Sequence, residues 1–171
     1  SPQALEKACA VLDSQPDVNA VYCDLLYVNA QGRRIIARQF GRNGRFDAGA
    51  VGRASILAAR NLFGIPLLVR RSAAGGLRYD ESLPYAADVD LAIAGAAGGS
   101  LFHIAEPLIA NRYHPGNATW RFVADAWRQM ERIAAKHAIP LSPLDRVRAR
   151  ASAYAMAVVK RFFMTYVAIR H

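Results

Sequence analysis

The chain has 171 residues, of which 53% are hydrophobic and 20% are charged, and it carries a formal net charge of +9. This size and composition exclude a disordered tail and predict one domain, or one domain with a small appendage, around a sizeable core. Two cysteines, Cys9 and Cys23, exclude a disulfide framework and a four-cysteine zinc site. We interpret both as buried, reduced thiols of a cytoplasmic protein. No apolar run of about eighteen residues predicts a membrane-spanning helix.

The positive charge is unevenly distributed along the chain. Residues 1–119 hold twelve basic and ten acidic side chains, a net of +2, whereas residues 120–171 hold ten basic and three acidic side chains, a net of +7. The basic character therefore belongs to the C-terminal third. Because that third is rich in aromatic and aliphatic residues and holds no recognisable reader motif, we expect no nucleic-acid partner.

The first part of the chain alternates predicted helices and strands. Ser1 and Pro2 suit a helix start, and an apolar stripe follows at helical spacing. The stripe consists of Leu5, Ala8, Cys9 and Leu12. The next predicted elements are a hairpin of strands over 18–28 and 33–40, a glycine-rich mobile loop over 41–52, a weak helix over 51–60 and a strand over 65–71. Because the sequence opens like a helix, we expect it to be a piece of a longer protein.

The second part of the pattern ends in helices. A helix is predicted to begin near Ala87 and to end in a glycine cluster near Gly95, followed by strands over 101–105 and 108–113 that are interrupted at Pro107. Two long helices are predicted over 120–137 and 144–169. This order predicts the α/β class for residues 1–119, with residues 120–171 as a helical C-terminal appendage.

Five short segments carry most of the functional information. They are Gly64-Ile-Pro-Leu-Leu-Val-Arg-Arg71, Leu77-Arg-Tyr-Asp-Glu-Ser-Leu83, Ala87-Asp-Val-Asp-Leu91, Ile104-Ala-Glu-Pro-Leu108 and Asn111-Arg-Tyr-His-Pro-Gly-Asn-Ala-Thr119. Two further pieces, Val21-Tyr-Cys-Asp24 and the turn Asn29-Ala-Gln-Gly32, precede them. In this order and spacing, the segments resemble the C-terminal half of family 2 inverting glycosyltransferases with the GT-A fold, over about residues 1–119.

The resemblance implies the acceptor-side half of such an enzyme. In that family a metal-binding Asp-x-Asp motif and a nucleotide-binding βαβ half precede a helix that begins like Ser1-Pro-Gln-Ala-Leu-Glu6. The full-length enzyme would transfer a sugar, with inversion, from a nucleotide-sugar donor to a hydroxyl of a glycan or lipid-linked acceptor. Its expected cofactor is Mn²⁺ or Mg²⁺. We expect this part alone to bind no metal and to be inactive without the donor-side half.

Asp88 falls where the family places its general base. An inverting transfer needs a group that takes the proton of the acceptor hydroxyl as that oxygen attacks the anomeric carbon, and a carboxylate within hydrogen-bonding reach can do this. The alternative is that Asp88 and Asp90 only interact favourably with the dipole of the helix that they begin. Two positions depart from the family pattern: Ala87 stands where an acidic residue is usual, and Ala94 stands where many members carry Arg.

Other candidate site residues follow from the same resemblance. His114 is a candidate metal ligand, and Arg112 is a candidate contact for the diphosphate, since a guanidinium fork suits phosphate oxygens. The remaining candidate substrate contacts are Asp24, Arg70, Arg71 and Asp90. Structural alternatives exist for all six: a turn histidine, a surface arginine, a strand-end carboxylate, arginines that cap a strand end and a helix-dipole aspartate.

The last predicted helix combines arginines with aromatic residues and allows two interpretations. A basic amphipathic helix can make peripheral contact with the inner face of an anionic membrane, which would suit a lipid-linked acceptor. Alternatively, its aromatic face packs on the other half of the enzyme or on a second copy. We favour the second interpretation because apolar residues run nearly all round the helix after Lys160. We also expect self-association, because the strand over 18–28 would leave an unpaired edge without its missing neighbours.

A function from another class stays open on the sequence alone. The same half of the fold could serve as a non-catalytic module that binds a glycan or a protein partner. An Asp-x-Asp motif and a βαβ unit encoded upstream of Ser1 would favour the enzyme, and their absence would favour the binding module.

Overall fold

The computed structural model describes residues 2–96, 99–113 and 122–170, with side chains up to residue 162. The helices are α1 (Ala4–Ser14), α2 (Ala48–Leu57), α3 (Arg71–Ala74), α4 (Ala87–Gly95), α5 (Ala126–Lys136) and α6 (Pro143–Arg170). The strands are β1 (Val18–Val28), β2 (Arg34–Arg38), β3 (Gly44–Phe46), β4 (Ile65–Val69) and β5 (Ser100–Arg112). Helices on both faces of a mixed sheet confirm the predicted α/β class.

Strand β1 is the centre of the sheet. β5 runs parallel to β1 along its whole length. On the other edge of β1, β4 pairs antiparallel with residues 20–23 and β2 pairs antiparallel with residues 25–28. β3 pairs antiparallel with β5 and completes the five strands of the described residues. The expectation of an unpaired edge at residues 18–28 is therefore wrong, because the chain supplies neighbours for both edges of β1.

The core lies on both faces of the sheet because side chains of β1 alternate between the faces. On one face, Val21 and Cys23 pack with α1 and with β5. On the other face, Tyr22 packs in a larger cluster under α2, α4 and α5. Large members of that cluster are Ile56, Phe63, Leu83, Leu101, Met130 and Ile133.

Helix α1 confirms the first predicted helix but with a rotated apolar face. Ala4, Ala8 and Leu12 are buried, whereas Leu5 is 61% exposed and Cys9 is also exposed. The prediction of two buried thiols is thus wrong for Cys9 and right for Cys23. Ala8 and Leu12 belong both to the predicted stripe and to the buried face, so the sequence pattern did not decide which side of α1 faces the sheet. The small side chains of Ala4 and Ala8 let α1 approach the sheet closely.

The glycine-rich stretch over 41–52 was expected to be a mobile loop, and this is wrong. Residues 44–46 form β3, and α2 begins at Ala48 after Asp47, whose Oδ1 accepts a hydrogen bond from Ala50 N at 2.9 Å. Such a cap satisfies one of the free N–H groups of the first turn. Phe46, which is half-buried, packs edge-on against the buried Tyr22, with 6.0 Å between ring centroids, and this aromatic contact anchors the segment.

Strand β5 is continuous across Pro107, where the sequence predicted an interruption. The register with β1 shifts between Cys23 and Asp24, and again between Asp24 and Leu25, so that Asp24 lies opposite Pro107. A bulge accommodates a residue that has no N–H to give to the ladder. The proline therefore changes the register without ending the strand.

The C-terminal helices share the core of the preceding residues. Met130 and Ile133 of α5 pack with Ile56 and Leu83. Ala153 of α6 is fully buried. The predicted helix over 120–137 is confirmed from Ala126, after a 3-10 turn over Val123–Asp125, and the predicted helix over 144–169 is confirmed as α6. None of the described helices has the length and apolar content needed to cross a bilayer.

Candidate functional site

A cavity of about 350 Å³ opens between the sheet and the C-terminal helix. Its walls come from the ends of β1 and β2, the segment before β4, the N-terminal turn of α4 and one face of α6. Its polar side chains include Arg38, Arg60, Asn61, Tyr85, Asp88 and Lys160. Because α6 supplies Met156, Val159 and Lys160, the C-terminal segment is part of the cavity and not a separate appendage.

Asp88 lines this cavity from the first turn of α4. Its Oδ2 accepts a hydrogen bond from Asn61 Nδ2 at 2.6 Å, and its Oδ1 accepts one from Val89 N at 2.9 Å. Burial raises the pKa of Asp88, and the hydrogen bond from Asn61, the backbone N–H groups and the charge of Arg38 offset part of this rise. A carboxylate with a raised pKa accepts a proton more readily than an ordinary one, which is the property of a general base.

Asn61 holds Asp88 in place and is itself held by the backbone. Its Oδ1 accepts hydrogen bonds from Phe63 N at 2.7 Å and Gly64 N at 3.1 Å, so its amide nitrogen must face Asp88. Gly64 has a φ of +91°, and a Cβ there would lie 3.2 Å from the carbonyl oxygen of Cys23. The turn that orients Asn61 therefore requires glycine for both its conformation and its space.

Cationic side chains form another part of the cavity wall. Arg38 donates hydrogen bonds to the Asn61 carbonyl at 2.9 Å and to the Tyr27 hydroxyl at 3.3 Å, and its guanidinium lies 4.4 Å from the centre of the Phe40 ring. Lys160 Nζ donates to the Tyr85 hydroxyl at 3.2 Å. Arg60 is exposed at the rim of the cavity.

The electrostatics of the cavity are dominated by burial. Burial, followed by repulsion from Arg38 and Arg60, lowers the pKa of Lys160 to about 8, and the charge of Asp88 acts in the opposite direction. Burial, followed by the charge of Asp88, raises the pKa of Tyr85 to about 12. Near neutral pH the lysine is therefore largely charged but poised to lose its proton, whereas the phenol is neutral and can donate a hydrogen bond.

Asp24 and Asp90, two of the predicted substrate contacts, are buried elsewhere. Asp24 Oδ1 accepts a hydrogen bond from Phe40 N at 2.9 Å and lies 3.0 Å from His103 Nε2. That buried ring nitrogen makes no hydrogen bond to the carboxylate or to any other described group. Asp90 lies 2.7 Å from Lys136 Nζ and 2.8 Å from His137 Nε2. Both carboxylates connect elements of the fold.

The predicted arginines also face away from the cavity. Arg70 donates to the carbonyl oxygens of Val18 at 3.1 Å and of Leu12 at 2.6 Å, and so ties the end of α1 to the sheet. Arg71 is exposed in α3, and Arg112 donates to the Ala30 carbonyl in the hairpin turn. His114 lies outside the described residues. Of the described residues predicted for the site, Asp88 alone lines the cavity.

Sequence reasoning missed the residues that position Asp88 from the C-terminal side. The buried Gln129 of α5 accepts hydrogen bonds from Tyr85 N at 2.8 Å and Ala86 N at 3.2 Å, just before α4 begins. The ion pair between Lys136 and Asp90 connects α5 to the first turn of α4. The sequence carried no clear signal for Gln129, which belongs to the buried face of α5 in the fold, and nothing in the sequence connects Arg38 with Lys160.

Comparisons of this chain with protein-family models, curated proteins and solved structures find no match. Within residues 2–96, 99–113 and 122–162, no group of three or more His, Cys, Asp or Glu side chains is arranged to hold a metal ion.

Proposed function

We propose that this chain forms the acceptor-side half of an inverting glycosyltransferase with the GT-A fold, in which Asp88 is the general base. The observation that carries the proposal is the position of Asp88: a carboxylate with a raised pKa lines a cavity at a helix N-terminus, fixed by Asn61. The family resemblance of the segments around it supports the same role for the same residue. The mixed sheet with helices belongs to the α/β class, which such an enzyme would share.

The proposed reaction is a single displacement. Asp88 takes the proton of the acceptor hydroxyl while that oxygen forms a bond to the anomeric carbon of the donor sugar. The bond between the anomeric carbon and the diphosphate oxygen breaks, and its electron pair leaves with the diphosphate. Inversion follows because the hydroxyl attacks from the side opposite the leaving group. A raised pKa suits Asp88 to this step, since it brings the base closer to the working pH.

The described residues do not fit the expected Mn²⁺ or Mg²⁺. Such ions take oxygen ligands, and no carboxylate cluster of the required kind occurs in the described ranges. The family resemblance assigns the metal carboxylates to the donor-side half. No step of the proposed reaction is therefore assigned to a metal on this part of the chain.

Asp88→Asn in the complete enzyme tests the proposed base. The substitution keeps the size of the side chain but removes its ability to accept a proton, so turnover should fall by about two to four orders of magnitude. Donor affinity should hardly change, because the group acts on the acceptor and mostly in the transition state. Steady-state kinetics and calorimetry with the nucleotide-sugar measure the two effects.

Asp47→Asn is the matched control for Asp88→Asn. Asp47 also begins a helix through its side chain but does not line the cavity. It should lower the free energy of unfolding by no more than about 1 kcal/mol, because Asn caps a helix about as well as Asp and only the interaction of the charge with the helix dipole is lost. Turnover per folded molecule should stay unchanged. Near-normal turnover of Asp88→Asn would contradict the proposed base and leave the binding module as the better interpretation.

A further inference from the structure

The cavity around Asp88 carries more positive than negative charge. Arg38, Arg60 and Lys160 face a single carboxylate. Within the described residues no ion pair joins any of these three cations to an acidic side chain. When Lys160 is protonated, the cavity therefore holds two positive charges in excess.

Arg38 and Lys160 are held in place before any ligand binds, whereas Arg60 is exposed at the rim. Contacts with Tyr27, Asn61 and the Phe40 ring hold the Arg38 guanidinium. The Tyr85 hydroxyl and ring hold Lys160, whose Nζ lies 5.0 Å from the ring centre. Side chains that are already ordered lose little conformational entropy when a ligand binds.

The pKa of Lys160 reflects the electrostatic potential in the cavity. The charged or titratable groups that share the cavity with it are Tyr27, Arg38, Arg60, Tyr85, Asp88 and Tyr113. Burial and the two arginines lower its pKa to about 8. An anion placed among the three cations would reverse that repulsion, so its binding would be coupled to proton uptake by Lys160.

We propose that the cavity binds an acceptor that carries a phosphate group, with Arg38, Arg60 and Lys160 around the phosphate and Asp88 facing the hydroxyl. Guanidinium forks and an ammonium suit the oxygens of a phosphate. The carboxylate of Asp88 repels the phosphate, so the charges orient the ligand with its hydroxyl toward the base. The assignment of the hydroxyl rests on the proposed function, whereas the phosphate subsite depends only on the cations.

Calorimetry without metal tests the subsite on the chain as it exists. Glycerol 3-phosphate and inorganic phosphate should bind at pH 8, and glycerol should not bind at the same concentration. Lys160 is about half protonated at pH 8, so binding should take up about half a proton from the buffer. The binding enthalpies in two buffers should therefore differ by about half of the difference between the ionisation enthalpies of the buffers. Heats that show no binding of either phosphate would overturn the proposal.

A UDP titration separates the two sources of phosphate. If the subsite belongs to the acceptor, UDP should bind no more tightly than inorganic phosphate, because this cavity offers nothing specific to the nucleoside. UDP affinity more than about tenfold above that of inorganic phosphate would assign the cations to the donor diphosphate and overturn the acceptor assignment.

Variants of Lys160 make the test specific. Lys160→Met should weaken phosphate binding by about ten- to hundredfold, the usual effect of one charged hydrogen bond, and should abolish the buffer dependence. Lys160→Arg should retain binding but lose the proton uptake, because arginine does not titrate. Lys7→Met, at an exposed lysine of α1, is the control and should alter neither result. Unchanged binding in Lys160→Met would overturn the subsite.

The outcomes for the subsite and for the proposed function are separable. Loss of phosphate binding with a large Asp88→Asn effect on turnover would remove the phosphate subsite and retain the enzyme. Phosphate binding with proton uptake, combined with normal turnover in Asp88→Asn, would retain the subsite and remove the proposed base.

Discussion

Asp88 lies in surroundings that stabilise its neutral form, and this has a consequence for folding stability. Burial raises its pKa in the folded protein, so the ionised carboxylate costs stability that is absent at low pH. The cost begins as pH rises through the ordinary carboxyl pKa and is fully present above the raised value. A residue kept at such a cost is typical of a functional site, where stability is exchanged for activity.

Asp88→Asn should therefore stabilise the fold while it impairs the reaction. The gain in the free energy of unfolding should be largest at neutral pH and vanish in acid below the ordinary carboxyl pKa, where both forms are uncharged. Denaturant unfolding at pH 3 and pH 7 measures this difference. A lower stability of Asp88→Asn at pH 7 would show instead that the carboxylate of Asp88 stabilises the N-terminus of α4.

Asn61 acts on Asp88 as a positioning residue. Its hydrogen bond lowers the pKa of Asp88, so Asn61→Ala should move the acid limb of the rate profile toward higher pH and reduce turnover by about ten- to hundredfold. Asn29→Ala is the matched control, because Asn29 also binds two backbone N–H groups of a turn but lies outside the cavity. Both variants should lose about 1–2 kcal/mol of stability, and only Asn61→Ala should change the pH profile.

At the scale of elements, close contact between α2 and α4 helps to position the base. Gly52 of α2 faces Ile93 of α4, and a Cβ at Gly52 would lie 2.9 Å from Ile93 Cγ1. The two helices can approach this closely because position 52 has no side chain. Since Asp88 begins α4, any shift of α4 would also move the carboxylate in the cavity.

Gly52→Ala should reduce stability although alanine favours helices. Overpacking of a tight core contact costs about 1–3 kcal/mol, which exceeds the gain of about 1 kcal/mol in helix propensity. Ile93→Ala should restore part of the loss in the double variant, since it removes the clashing atoms. Additive losses in a thermal unfolding cycle would contradict direct contact between the two positions.

For the whole molecule, the exposed face of α6 is the main unexplained surface. Large apolar side chains recur there at helical spacing and remain more than half exposed to solvent, or half exposed for Tyr154. They are Leu144 (76%), Val147 (64%), Tyr154 (50%), Val158 (55%) and Phe162 (72%). A stripe of this length on one helix is typical of a surface that packs against another molecule.

Self-association should depend on α6 and not on β1. The double variant Val147→Glu/Val158→Glu should convert a dimer or larger species into a monomer, as measured by light scattering, because it places charges in the apolar stripe. Leu5→Glu on α1, at another exposed apolar residue, should leave the assembly unchanged. A wild-type monomer at high concentration would contradict self-association, and binding to anionic vesicles would then favour the membrane interpretation.

The sequence alone determined the elements with strong local signals. The β-branched run over 18–28, the turn at Asn29 to Gly32 and the helix that begins at Ala87 are all visible as patterns, because strand periodicity, turn residues and helix length are local properties. Asp88 was identified through the order of short segments around it. The local pattern predicted the wrong structure for residues 41–52, where the contact of Phe46 with the buried Tyr22 and the Asp47 cap decided the structure.

Only the tertiary structure decided which side chains share the cavity. Arg38, Arg60 and Lys160 come from distant parts of the chain, and their proximity depends on how α6 packs against α2 and α5. Other long-range contacts place Asp90 against α5 and Arg70 against the end of α1 and the start of β1. The sequence could not show this, because a carboxylate or guanidinium looks the same in a sequence whether it contacts a substrate or a neighbouring element. Residue type sets which chemistry is available, and long-range packing sets where it is used.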